Sequence, residues 1–453
     1  MLGNSLKQTY WQLASWIRKT KNRQWPLWKK YTLLSRQGAN KAKSESFDYV
    51  KEMVLLAWEF PPQVTGGVYR PMSFANYAEQ AGWKIRVITS PEPDIITDAG
   101  GYLLEKLSST VQVQRISRVD NSPLSWPLPV LDGGLANAFI IYDLATRLMQ
   151  NSSPGVILAS GPPFHNFVVG MWLSKLLGWK LVLDYRDEWT ECPFDFVLKD
   201  KSNRKLERQC LEQADAVVFT TPSQLEHAIT EFDVLDKDNC AVVYNGWEPD
   251  DFKLANKLSN NESVSDNAAT ITLAYLGNLG PMASPTSFLT TLSRVLEKYP
   301  SLINRLNIKL IGYKRPSVLE QLKTFPYSEV FELIDQVPKS QACQMMLSVD
   351  ALLLLNPSQV QRYIQGKTYE YVASRTPVLV YGEGGEMAAI INDLGNGLVI
   401  KADSVTALYN ALLNIKSVSP EDDDKIEQWL QSRYRSRQAE QMFSVLEKVR
   451  STV

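Results

Sequence analysis

The sequence predicts an α/β fold of two doubly wound domains that face each other across a cleft. Three observations predict it. Short apolar runs alternate with amphipathic stretches along most of the 453 residues, the pattern of βαβ units in parallel sheets covered on both faces. At roughly 100–200 residues per domain, the length calls for two domains or at most three. A polar stretch rich in Asn and Ser, Lys257–Thr270, separates two alternating halves of similar size. The expected boundaries are a basic arm at 1–47, a first Rossmann-like domain at 48–255, a second at 256–424 and a C-terminal helix at 425–453.

In chain order, Met53–Trp58 is the first expected strand, Gln63–Gly67 a glycine-containing loop and Pro71–Gly82 a helix. Lys84–Thr89 is the next strand. Residues 91–135, rich in Pro, Gly and Ser, read as an insertion or long loop. Strands follow at Val156–Ser160, Leu181–Tyr185, Ala216–Thr220 and Ala241–Tyr244, with helices such as His165–Leu177 and Lys201–Gln213 between them. The second half supplies Ile271–Leu276, Asn307–Ile311, Val330–Ile334, Ala351–Leu355, Pro377–Val380 and Gly397–Ile400. The acidic run Glu421–Asp424 reads as a helix start, and the chain ends in an amphipathic helix.

Composition narrows the class. With 44% hydrophobic and 21% charged residues the chain is globular, not disordered. No apolar run is long enough for a transmembrane helix, and the first residues lack a secretory h-region. Cys192, Cys210, Cys240 and Cys343 form no CxxC pair, and there are two histidines, so reduced thiols and no metal site are expected. The net charge of −1 is unevenly spread. Residues 1–44 carry ten Lys or Arg and no Asp or Glu, which leaves 38 basic against 49 acidic residues in the remainder. Leu6, Tyr10, Leu13 and Ile17 share one helical face, with Trp11, Trp16, Trp25 and Trp28 in the same arm. Such an arm suits the headgroup layer of an anionic membrane, or docks on its own domain. No pattern for nucleic-acid binding accompanies it.

Ligands of doubly wound folds bind beyond the carboxyl ends of the strands, so the loops there are where chemistry is sought. The first expected strand runs into Phe60–Gly67, where Gly66 and Gly67 allow close approach of backbone amides to a phosphate. His165 follows Val156–Ser160 and suits a sugar hydroxyl or proton transfer, or a helix cap. Arg186 and Asp187 leave the Leu181–Tyr185 strand, as a salt-bridged strand end or as contacts to acceptor hydroxyls or phosphate. Gly277 and Asn278 open the second half's first loop. Lys367 and Glu370 lie one turn apart at a helix start, as a diphosphate and ribose pair or as a surface ion pair. His227, in a polar helical stretch, reads as structural, and Asp236–Asp238 only mimics an Asp-x-Asp metal motif.

These segments, in order, resemble the retaining nucleotide-sugar glycosyltransferases with the GT-B fold, of the family-4 type. The markers are WEFPPQVTGG, GPPFHN, GMWLSKLLGWKLVLDYRDEW, ADAVVFTTPS, VVYNGWEPDDF, YLGNLG and GKTYEYVASRTPVLV. The resemblance implies that the first domain faces the acceptor and the second the donor. It implies that Glu370 binds the donor ribose, and that Lys367 with Gly66, Gly67 and the Gly277–Asn278 loop holds the diphosphate. Gln336–Lys339 would border the base, His165 would serve catalysis near the transferred sugar, and the last helix would cross back to the first domain. Two departures stand out. Arg362 occupies the place of the first of two glutamates in typical members, and Gly277–Ser284 lacks their Arg and Lys. Arg362 then becomes a further phosphate or acceptor contact.

The implied reaction moves a sugar from a nucleotide-diphosphate donor to a glycan or lipid-linked acceptor with retention, needing no metal and no cofactor. Polysaccharide or glycolipid synthesis at the cytoplasmic face of a membrane is the expected setting. The alternatives are a non-catalytic GT-B homologue acting as a membrane-associated scaffold, and an epimerase of the nucleotide sugar.

Overall fold

The computed structural model describes residues 51–117, 135–194, 197, 199–253, 270–420 and 422–452. The basic arm and the polar linker before residue 270 lie outside the described residues. The first half contains β1 (Glu52–Leu56), α1 (Tyr69–Tyr77), β2 (Lys84–Thr89), α2 (Asp98–Glu105), β3 (Gln112–Arg115), α3 (Leu135–Met149) and β4 (Val156–Gly161). It continues through α4 (His165–Leu177), β5 (Lys180–Tyr185), α5 (Lys201–Gln213), β6 (Ala216–Phe219), α6 (Pro222–Glu231) and β7 (Cys240–Val242). Its seven parallel strands lie in the order β3-β2-β1-β4-β5-β6-β7.

The second half contains β8 (Ile271–Leu276), α7 (Thr286–Lys298), β9 (Leu306–Ile311), α8 (Pro316–Lys323), β10 (Phe331–Ile334) and α9 (Lys339–Leu347). After these come β11 (Ala351–Leu355), α10 (Gly366–Ala373), β12 (Val378–Tyr381), α11 (Gly385–Leu394), β13 (Gly397–Ile400) and α12 (Val405–Asn414). The order β10-β9-β8-β11-β12-β13 repeats the doubly wound plan. Two helices close the chain, α13 (Asp423–Ser432) and α14 (Arg435–Ser451).

The strands are apolar because both faces are covered. Along β1, Val54 and Leu56 pack into one cluster with Ile157, Trp172 and Leu181. Met53 and Leu55 face the other way, onto Ala439, Met442 and Leu446 of α14. The terminal helix therefore caps the back of the first sheet, where Phe443 stacks on Trp83 at 6.2 Å. Trp247, at the end of the first half, ties the crossing down. Its Nε1 donates to Leu430 O at 3.0 Å, and its backbone N donates to Arg433 O.

One expectation fails. Residues 91–117 are not an irregular insertion: they hold α2 and β3. β3 pairs with β2 at Arg86↔Gln112 through Thr89↔Arg115. As the edge strand Gln-Val-Gln-Arg it is only half-buried, so no apolar run announces it.

Candidate functional site

Each sheet reverses its winding between two neighbouring strands, β1 and β4 in the first and β8 and β11 in the second. The loops leaving these strands line the crevices where such folds take ligands.

The β1 loop is held by an arginine. Arg186 Nη1 donates to Glu59 Oε2 at 3.0 Å and to Gly67 O at 2.6 Å. Its Nε and Nη2 reach Gly161 O and Pro162 O of the β4 loop. Arg186 is thus a clamp between two loops, with its three nitrogens committed, and of its two expected roles the salt-bridged strand end is the one these contacts form. Gly67 is required here, because a Cβ would sit 1.7 Å from Glu59 Oε2, whereas a Cβ on Gly66 would meet nothing. Asp187 is the next residue, a half-buried carboxyl. Burial pushes it up to about 6; Arg186 opposes that shift while Glu59 and Glu188 add to it.

His165 opens α4 but is fully buried, edge-on to the Trp58 ring at 4.9 Å. At the end of β5, Asp184 is locked by Arg70 at 2.7 Å and by Ser160 Oγ at 2.8 Å. That buried pair fixes the end of β5.

Across the crevice, Gly277 bends at φ +130, and Asn278 is exposed with its carbonyl accepting from Tyr275 Oη at 3.0 Å. A Cβ on Gly277 would lie 2.8 Å from Lys367 Nζ. Lys367 therefore leans against this loop from the first turn of α10, 3.7 Å above the Tyr275 ring. Burial pulls its ammonium down to about 7, with Glu370 pulling it back up. No carboxylate pairs with it among the described residues. The Gly277 loop lacks its own cation, but Arg315 from the neighbouring β9–α8 connection lies against Gly280, 3.3 Å from where a Cβ would stand. That placement is invisible in sequence order.

Glu370, one turn along α10, forms an ion pair with Lys339 at the start of α9. Lys339 Nζ also lies 5.9 Å from the ring of Tyr69, on α1 of the first domain. Arg362 binds Glu188 of the first domain through its guanidinium at 2.7 Å. Glu188 also meets His227 Nδ1 at 2.7 Å, so His227 belongs to a polar cluster that the sequence reading missed. Glu191, His227 and Glu231 converge, yet Arg204 bridges the two carboxylates. Asp236 accepts from the backbone N of Asp238 and Asn239, a turn within its own loop. All four cysteines are free.

Comparison with known proteins fits this architecture. Residues 65–246 match the family model described as glycosyl transferase 4-like domain. A D-inositol 3-phosphate glycosyltransferase of Kribbella flavida is 21% identical over 216 residues, 46% of this chain and 50% of that protein. The match thus spans about half the length of that relative. A glycosyltransferase structure from Rickettsia africae superposes with a TM-score of 0.59 at 13% identity, over 90% of this chain and 100% of that one. An Anabaena protein solved with UDP-glucose gives 0.54 at 13% identity, over 88% and 98%.

Proposed function

We propose that this chain, a GT-B fold whose residues 65–246 match the glycosyl transferase 4-like domain, moves a sugar from a nucleotide-diphosphate donor to an acceptor hydroxyl with retention. The observation that carries the reading is Lys367. It is an ammonium depressed by burial, without a carboxylate partner among the described residues, at the N-terminus of a helix and facing a glycine bend. An anionic diphosphate seated there relieves the cost of that charge and gains the helix-terminal amides. Glu370, one turn on, is the carboxylate for the ribose hydroxyls. Gly66 and Gly67 approach from the first domain.

In the reaction the bond from the sugar's anomeric carbon to the diphosphate oxygen breaks. The bond from that carbon to the acceptor oxygen forms on the same face. The acceptor proton passes to the departing phosphate oxygen, so the protein needs no close pair of carboxylates of the glycosidase kind. Lys367 and the α10 amides stabilise the charge that develops on the diphosphate, and the β1 and β5 loops orient the acceptor. Asp187 is the acceptor-side carboxyl of this scheme, and no metal is part of it.

The setting we propose is polysaccharide or glycolipid assembly, with residues 1–44 resting on an anionic membrane. No helix among the described residues is long and apolar enough to cross a bilayer. Deleting the arm then abolishes binding to anionic liposomes. Unchanged binding removes the membrane from the proposal.

One observation favours a non-catalytic scaffold instead: Glu370 is already paired, with Lys339. Thermal unfolding against ADP, GDP, UDP and their sugar conjugates separates the two. A donor site gives a midpoint that rises with one nucleotide, and the rise is lost in Lys367→Met and Glu370→Ala. No shift with any nucleotide, in a folded sample, favours the scaffold.

A further inference from the structure

Glu188 lies just beyond β5 and is 4% exposed, yet its carboxylate takes donors from both domains. From the first domain comes His227 Nδ1, 2.7 Å away, which carries the proton because a carboxylate only accepts. From the second come Arg362 Nε at 3.0 and 3.2 Å, Arg362 Nη2 at 2.7 Å and Tyr363 Oη at 2.6 Å. Arg362 Nη2 also reaches Glu191 O at 3.2 Å. Two links involving the backbone run alongside. Thr221 Oγ1 donates to Arg362 O at 2.6 Å, and Ser223 N donates to Glu386 Oε1 at 3.0 Å.

The position of this cluster in the chain gives it a consequence for the cleft. Arg362 and Tyr363 sit between β11 and α10, with Ile364 and Gln365 leading on to Gly366 and Lys367. Whatever fixes them fixes where the N-terminus of α10 points. An ion pair with a buried carboxylate adds little net stability over an apolar pair of equal volume, so its weight here lies in the arrangement of the groups it joins.

We infer that Glu188 is an interdomain positioning residue. It seats Arg362 and Tyr363 on the first domain and thereby aims Lys367 and Glu370 across the cleft at the β1 glycine loop. The inference rests on the donor-site reading for its consequence, but the clamp itself does not. Arg362 then has a role that a glutamate at its position would not fill, since two carboxylates would repel where one now takes four donors. Glu188 touches no reacting atom in this scheme and acts only through the segment it holds.

A double-mutant cycle tests it. Arg362 is one-third exposed, so Arg362→Ala should fold, and it is the first variant to make. The probe is whichever of ADP, GDP or UDP binds the wild-type chain, measured by calorimetry. Arg362→Ala and Glu188→Ala each weaken binding at least about tenfold, and the double variant is no weaker than the worse single one. Arg362→Lys recovers part of the loss, because it restores the charge but not the forked contact. Additive losses, or wild-type affinity in either single variant, overturn the inference. If no nucleotide binds the wild-type chain, the donor reading is what fails. Small-angle X-ray scattering still judges the clamp: both single variants should show a larger radius of gyration, and curves that superpose on the wild type overturn it.

Discussion

Arg186 and the two glycines it sits beside separate a required glycine from a permitted one. A methyl at Gly67 collides with Glu59 and with the Arg186 guanidinium, so Gly67→Ala breaks the clamp between the β1 and β4 loops. A methyl at Gly66 meets nothing. Gly67→Ala is therefore expected to cost about 1–3 kcal/mol in denaturant unfolding, and Gly66→Ala to stay within about 0.5 kcal/mol of wild type. Equal effects would mean that the clamp is not formed in solution. Sequence order placed both glycines in one loop but could not rank them, because the discriminating atoms come from Arg186, 119 residues away. The same limit applies to the site as a whole. Lys367 and Glu370 were readable as neighbours on a helix. The Lys339 partner of Glu370, the Arg315 beside Gly280 and the Glu188 partner of Arg362 were not, since each is brought in from another loop and Glu188 from another domain. His165 was legible as a histidine at a strand end. Its burial against Trp58 was not.

Strands were legible where their sequence carries an apolar run, whether central or at an edge. β2, β8, β11 and β13 have the limits expected of them, and the central strand β11 is the clearest, an unbroken apolar run buried along its whole length. β3 hid because its residues, Gln-Val-Gln-Arg, offer a single apolar side chain. α14 was readable as an amphipathic helix, but nothing local says which sheet it covers. Its apolar stripe of Ala439, Met442, Phe443, Leu446 and Val449 belongs to the core of the first domain, although the helix follows the second in sequence. Phe443→Ala is accordingly expected to destabilise the first domain by about 3–5 kcal/mol. Hydrogen exchange locates the effect: protection should fall first in β1 and α1, not in β8–β13. Loss confined to the second domain would show that α14 does not dock as described.

At the scale of the whole molecule, the stability of the fold and the chemistry of the cleft are linked through protons. Burial raises Glu207 to about 7, against the hydrogen bonds from Thr190 and Tyr185. The folded chain then keeps a proton that the unfolded chain releases near pH 4.5, so this group's contribution is full in acid and is lost as pH rises to 7. Lys367 works in the opposite sense. Lowered to about 7, it gives up its proton in the folded chain while the unfolded chain holds it to about 10.5, so stability rises with pH across that window. The Glu207 penalty is full above about pH 7 and the Lys367 penalty full below it, so the two overlap near neutrality, where together they weigh most against the fold. Subtracting Glu207→Gln from wild type should isolate the acid-side fall, and subtracting Lys367→Met the alkaline-side rise. The second difference also reports on ligand. A diphosphate seated on Lys367 holds its proton on, so saturating nucleotide should flatten the rise between pH 7 and 10.5. If nucleotide stabilises the chain and the rise persists unchanged, the anion sits elsewhere. The donor helix would then have to be reassigned even though the fold around it stands.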